Sequence, residues 1–325
     1  MGARPKITLV TAVLAGHMAG VSCANAQNYP TKPVRVIVPL SAGSGVDIIG
    51  RLVSQKLSEL WGQQLVVDNR SGAGGSIGTA IVALAPADGY TLLVSGSSHA
   101  VNPVLYSKLP YDTLKDFTDI ASIAALYQVI VVAPSAGVKS VSQLIGLAKS
   151  KPGQVTYASP GVGTGVHFAG EKFRLATGIS VEHVPYKGGP EAMTDVMMGR
   201  VNYWIPSIGT ALPFIQSNKL LGLGVSSPQR SALLADVPTI IEAGVPGYES
   251  SLWFGLWGPA GLPPGVVGKI SKDVARVLSA PDVREQFQKL AGEPVSMAPS
   301  KFSNFVRSEI ESATKIAKAA GIKPQ

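Results

Sequence analysis

Three times in this chain a short β-branched run gives way to a glycine- and serine-rich loop, and the loop opens a helix. The loops are Pro39-Leu40-Ser41-Ala42-Gly43-Ser44-Gly45-Val46-Asp47, Asp68-Asn69-Arg70-Ser71-Gly72-Ala73-Gly74-Gly75-Ser76 and Ser159-Pro160-Gly161-Val162-Gly163-Thr164-Gly165-Val166-His167. Strand, loop and helix in that order build a parallel sheet, because parallel neighbours can be joined only through a crossover. The fold class is therefore α/β. Open α/β sheets bind ligands beyond the carboxyl ends of their strands, which is where these loops fall.

The alternation runs in two series. Strands are predicted at 34–38, 65–67 and 91–94 with helices at 48–60, closed by Trp61-Gly62, and at 76–85. A second set places strands at 129–132, 155–157, 181–184, 201–205 and 220–225, with helices at 141–150, 166–177, 191–199 and 211–217. A short helix at 238–243 and a strand at 251–258 return the chain, and helices at 264–278, 282–290 and 299–320 are expected to pack back on the first unit. A chain of 325 residues exceeds the usual size of one core, so two lobes are the natural division.

Arg4 and Lys6 precede an apolar run, and the small-residue site Ala24-Asn25-Ala26 follows it, so 1–26 reads as a signal peptide cleaved before Gln27. A lipoprotein site at Cys23 is the competing reading; Gly20 stands where such a site wants a sizeable apolar residue. No later stretch is long and apolar enough to span a membrane, so a soluble exported protein is expected, in the periplasm. Cleavage removes the one cysteine, leaving no disulfide to form. The net charge of +8 becomes +6 once Arg4 and Lys6 leave. That surplus favours acidic ligands, but it is spread out without a basic run or interleaved aromatics, which argues against nucleic acid.

In the first loop glycines let backbone N–H groups approach an anion at a helix start, while Asp47 either caps that start or contacts the ligand or its water. The second loop holds an apparent G-x-S-x-G at Gly74 to Gly78, the signature of a hydrolase nucleophile elbow on Ser76; the loop between strand and serine is too long for that turn. Arg70 reads as a surface charge. Neither the second nor the third loop completes G-x-G-x-x-G, because Ile77 and Val166 occupy the last-glycine positions, so a dinucleotide is not expected. The third loop supplies a nest of N–H donors with the hydroxyls of Ser159 and Thr164, suited to a carboxylate. His167 reads as a neutral packing imidazole. His99, His167 and His183 form no ligand-spaced pair, so neither a metal nor another cofactor is expected.

Taken together these motifs resemble the tripartite tricarboxylate transporter receptor family, the Bug-type solute-binding proteins. The resemblance is carried by Tyr29-Pro30, Pro33 to Pro39, Ala42-Gly43 with Asp47, Val66 to Gly75, Tyr111 to Thr118, Ser159 to His167, Val184 to Gly189, Asp236-Val237-Pro238-Thr239 and Glu242 to Tyr248. It implies a type II periplasmic binding protein: two Rossmann-like α/β lobes, a hinge and an interlobe cleft. The implied boundaries are 27–127 with 249–325 for lobe 1 and 128–248 for lobe 2. The family also implies a ligand carboxylate held by Ser41, Ala42, Gly43, Ser44, Asp47, Ser71, Gly72, Ala73 and Gly74, partly through water. From the opposite side come Ser159, Gly161, Gly163, Thr164 and His167, with Ser97, Tyr186, Lys187, Gly188 and Ser207 at the distal end.

Leu40, Gly43-Ser44 and Val46 replace an aromatic, a Gly-Gly pair and a small hydroxyl usual in the family, and the unusually bulky Trp204 is expected in the core, with a place on the cleft wall as the alternative. The implied function is an exported, non-enzymatic, monomeric receptor that passes a small mono-, di- or tricarboxylate, or an aromatic acid, to inner-membrane transporter subunits. A sensor subunit presenting ligand to a signalling kinase and a secreted serine hydrolase are the alternatives.

Overall fold

The computed structural model describes residues 29–322 together with Gly2 and Pro324; the expected signal peptide, Gly2 apart, and the cleavage site before Gln27 lie outside the described residues. The chain opens with β1 (Val34–Val38), α1 (Gly45–Trp61), β2 (Leu65–Asn69), α2 (Ser76–Ala83), β3 (Thr91–Gly96), α3 (Ser98–Leu105) and β4 (Phe117–Tyr127). It continues through β5 (Val129–Val132), α4 (Val141–Ser150), β6 (Val155–Ser159), α5 (Gly165–Thr177), β7 (Val181–Pro185), α6 (Gly189–Met197), β8 (Tyr203–Trp204), α7 (Ile208–Gln216) and β9 (Leu221–Val225). It closes with β10 (Ser251–Pro259), α8 (Pro264–Ser279), α9 (Pro281–Lys289), β11 (Gly292–Pro294) and α10 (Pro299–Ala320).

These strands form two mixed sheets, ordered β11-β4-β10-β3-β1-β2 and β7-β6-β8-β5-β9. Within the first, β1 runs parallel to β2 and β3, and β10 runs antiparallel to β3 and β4. The period-2 alternation of strands sorts the core. Val34, Val36 and Val38 point to one face and pack with Ile49, Val53 and Leu57 of α1 and Ile270 and Val274 of α8. Ile37 points to the other, against Trp257, Phe302 and Val306. Each such fully buried side chain contributes about 1.5–3 kcal/mol of apolar burial. In the second sheet Ile130 and Val132 join Val141, Leu144 and Ala148 of α4, while Val129 and Val131 meet Val196, Ile208 and Ala211.

The chain crosses between the sheets at Gln128, the one residue between β4 and β5. Gln128 is fully buried and tied on every side: its N–H donates to Ser226 Oγ (2.8 Å), its Nε2 to the Ile205 carbonyl (2.7 Å), and its Oε1 accepts from Ser250 Oγ (2.8 Å). Ser226 in turn donates to the Ser250 carbonyl at 2.5 Å, which fastens the outgoing crossing to the returning one.

Two sequence expectations need correction. The helix expected at 238–243 is a turn: Thr239 bridges in parallel to Val225, so the chain leaves a sheet edge and cannot start a helix until past it. Thr239 Oγ1 and the Glu242 carboxylate exchange hydrogen bonds with each other's backbone N–H, closing a single turn. The strand expected at 201–205 contracts to Tyr203–Trp204, because Asn202 Oδ1 takes the Thr156 N–H (2.8 Å) that a strand carbonyl would have taken. Finally β4, α3 and β11 are unmarked by periodicity. Among the described residues no helix is long and apolar enough to cross a membrane.

Candidate functional site

The residues that follow β1, β3, β6, β7 and β8 line one cavity of about 390 Å³ that draws on both lobes. Five helices begin on it. Their N-cap residues, Ser44 of α1, Ser97 of α3, Thr164 of α5, Gly188 of α6 and Ser207 of α7, all line the cavity. A helix start leaves backbone N–H groups without intrahelical partners and carries the positive end of the macrodipole, so five starts on one cavity make a field suited to an anion. The starts of α3, α6 and α7 have no side-chain cap to compete for those donors. Ser44 and Thr164 cap α1 and α5 only through long bonds, 3.4 Å from the Asp47 N–H and 3.3 Å from the His167 N–H.

Between these polar corners the lining is apolar: Leu40 and Val46 on one side, Met193, Met197 and Phe214 on the other, and Leu252, Trp253 and Phe254 of the returning strand. The one charged side chain in the lining is the exposed Lys187. Met193 and Met197 show an i, i+4 helical face that the sequence carried, but nothing distinguishes such a face from ordinary core. Trp204 is both core and wall: it is 2 % exposed within a hydrophobic cluster of the second sheet, as expected, and it also lines the cavity.

Of the residues named from sequence, Ser41, Gly43, Ser44, Ser97, Thr164, Lys187, Gly188 and Ser207 stand on the cavity, and the rest stand behind or beside it. Ala42 and Asp47 belong to the frame of the first loop. The Asp47 carboxylate accepts from the Gly43 N–H (2.9 Å), Arg51 Nε (3.0 Å) and Asn69 Nδ2 (2.9 Å). Burial pushes its pKa up, but the hydrogen bonds from Arg51, Gly43 and Asn69 outweigh that and hold it below the ordinary carboxylate range. Arg70 pairs with Asp68 at 2.9 Å on the surface.

Ser71, Gly72, Ala73 and Gly74 do not line the cavity. A Cβ on Gly74 would stand 2.9 Å from the Val162 carbonyl, so the second loop lies directly against the third. Ser159, Gly161, Gly163 and His167 form the inner layer of that third loop. Ser159 Oγ meets His183 Nε2 at 2.6 Å and accepts from the Gly161 N–H at 3.1 Å, and the Gly163 N–H donates to His167 Nδ1 at 3.3 Å. His167 and His183 stack with ring centroids 4.1 Å apart. Burial lowers the His167 pKa to about 4, and burial with the neighbouring His167 lowers that of His183 to about 3. Tyr186 donates to Asp195 at 2.7 Å; burial, then that bond, pushes its hydroxyl up to about 12.

The hydrolase alternative finds no support in the geometry. Residues 70–75 intervene between β2 and Ser76, which begins α2, and the glycines of the apparent elbow answer to packing: a Cβ on Gly78 would stand 2.5 Å from the Arg70 carbonyl. Among the described residues His99 packs on Phe117 and Trp257, and the other two histidines serve the third loop. No three of His, Cys, Asp and Glu converge among the described residues in a way that could hold a metal.

Two α/β sheets joined at a hinge, with helix starts from both converging on one cavity between them, define a two-lobed solute-binding protein. The profile of the tripartite tricarboxylate transporter family receptor matches residues 49–322, and the chain belongs to that family. Protein BugT of Bordetella pertussis is 34 % identical over 311 residues, covering 95 % of this chain and 94 % of BugT. A solved R. palustris protein with adipate is 35 % identical with a TM-score of 0.87, covering 91 % of this chain and 100 % of its own. MatC of Rhodopseudomonas palustris with bound malate is 28 % identical with a TM-score of 0.82, covering 89 % and 99 %.

Proposed function

We propose that this protein is the periplasmic receptor that captures a small organic carboxylate in the interlobe cavity and delivers it to the membrane subunits of a tripartite transporter. The observation that carries the reading is the convergence of five helix N-termini on one cavity. Hydrogen bonds to a charged group contribute about 1.5–3 kcal/mol each, and micromolar affinity requires only about 8 kcal/mol net. Donors from the starts of α1, α3 and α5, with Ser41, Ser44, Ser97 and Thr164, reach that without an arginine. Relatives solved with adipate and malate support the carboxylate. On this reading residues 27–127 with 249–325 and residues 128–248 are the two lobes, the chain acts as a monomer without catalysis, and export removes 1–26.

A thermal-shift screen of the purified protein against mono-, di- and tricarboxylates and aromatic acids tests it. A true ligand at about 100 times its Kd adds about 2.7 kcal/mol of stability. If no carboxylate moves the midpoint, the reading fails.

A further inference from the structure

The hydroxyls around the ligand cavity divide by lobe. Ser41, Ser44, Ser97 and Ser98 line it from the loop after β1 and from the start of α3. Ser44 Oγ accepts a long bond from the Asp47 N–H, and among the described residues none of the four donates its own proton to the protein. Each can therefore donate to a ligand carboxylate. On the second lobe the hydroxyls are engaged within the protein. Thr194 Oγ1 donates to the Pro190 carbonyl (2.9 Å), and Ser207 Oγ and Thr210 Oγ1 bond to each other (2.8 Å).

Between the two sides the walls are hydrocarbon and thioether: Met193, Met197, Phe214, Leu252, Trp253 and Phe254. Among the described residues, none that lines the cavity carries a carboxamide, carboxylate, guanidinium, imidazole or phenol. Lys187 and the uncapped starts of α6 and α7 stand on the cavity too, so a second acid group finds donors there. A hydroxyl on the carbon chain of the ligand does not. It must both donate and accept, and one that gives up its water against these walls without a partner costs about 1–3 kcal/mol.

We infer that the ligand is a carboxylate, with one acid group or two, whose body is hydrocarbon, and that the wall carrying Met193 and Met197 rejects sugar acids and other acids hydroxylated along the chain. This rests on the receptor reading above. The test is calorimetric titration of the purified protein with three pairs of acids, matched in carbon skeleton and charge and differing in their hydroxyls: hexanoate with gluconate, adipate with glucarate, and cyclohexanecarboxylate with quinate. Within each pair that binds, the hydrocarbon acid is tighter by about a hundredfold, the loss expected when two hydroxyls go unpaired. Met197→Gln, at a half-buried position on the wall, offers a chain hydroxyl a partner and narrows the ratio by about fivefold, the worth of one net hydrogen bond. Equal or tighter binding by the hydroxylated member of any pair, or a ratio that Met197→Gln leaves unmoved, overturns the inference and leaves the receptor reading standing. If none of these acids binds but the carboxylate screen finds one that stabilises the protein, that acid decides: a hydrocarbon body upholds the inference and a hydroxylated one overturns it. If no carboxylate stabilises the protein, the receptor reading fails and the inference with it.

Discussion

His167 and His183 are held neutral by what surrounds them, and the third loop depends on that. His167 Nδ1 can accept the Gly163 N–H only while it is unprotonated. The unfolded histidine takes up a proton near pH 6.5, and the folded one near 4. Between those values the unfolded state holds more protons, so stability rises with pH and is lost as pH falls from 6.5 through 4. The melting temperature is therefore expected to drop across that window, and ligand affinity with it. His167→Gln offers Gly163 an acceptor that does not titrate, and so flattens the drop; an unchanged slope by differential scanning calorimetry would remove His167 from this account. The residue-level reading from sequence found this histidine neutral because it lay in a first helical turn without an acidic partner. It could not find the stacked His183, which comes from a neighbouring strand.

At the scale of elements, the three strand-loop-helix units were legible because each carries its own local chemistry. A capping serine or threonine precedes α1 and α5 and a left-handed glycine, Gly75, precedes α2, glycine occupies the left-handed turns, and β-branched residues fill the strands. β4 escaped notice because Phe117–Tyr127 is buried at most of its positions and lacks a two-residue alternation to read. How the loops lie on each other was equally invisible. Gly78 is the clearest case: the apparent serine-elbow glycine allows α2 to approach the Arg70 carbonyl and Pro39 Cα, which a Cβ would meet at 2.5 and 2.9 Å. Both are backbone atoms, so they cannot turn aside. Gly78→Ala should destabilise the fold by about 1–3 kcal/mol through overpacking and weaken ligand binding by displacing the first loop. Chemical denaturation and a titration with the best ligand of the screen would show both; an unperturbed variant would mean the loops are looser than they stand.

For the whole molecule the decisive feature is the hinge. Gln128 closes a hydrogen-bond network between the crossing at Ser226, the returning strand at Ser250 and the Ile205 carbonyl. Gln128→Leu would leave the buried Ile205 carbonyl unpaired, at about 1–3 kcal/mol if water does not enter, and would remove the bond that ties the part-buried Ser250 hydroxyl to the crossing. Reduced stability and weaker ligand affinity are expected with every cavity residue intact, because both lobes must hold their angle for the five helix starts to converge. If affinity is unchanged while stability falls, the hinge network is structural only. The end of α10 reaches the same interface: Ala313 and Ala317 pack with Val101 and Leu105 of α3 and Phe168 of α5, and Arg174 Nη2 donates to the Ala320 carbonyl at 3.1 Å. The helix expected to pack on the first lobe thus touches both.

What the sequence determined alone is local and repetitive: α/β units, two series of them, loops rich in N–H donors, and motifs whose order marks the receptor family. These are properties of neighbouring residues, set by dihedral preference and by the period of apolar positions. Which loops face the ligand was decided by tertiary structure. Ser97, Gly188 and Ser207 come onto one cavity with Ser44 and Thr164, while the second loop, equally glycine-rich, is turned against the third. Trp204 shows the reason. Whether a bulky side chain is core or cavity wall depends on the space that a second sheet, distant in sequence, leaves beside it, and no local pattern encodes that space.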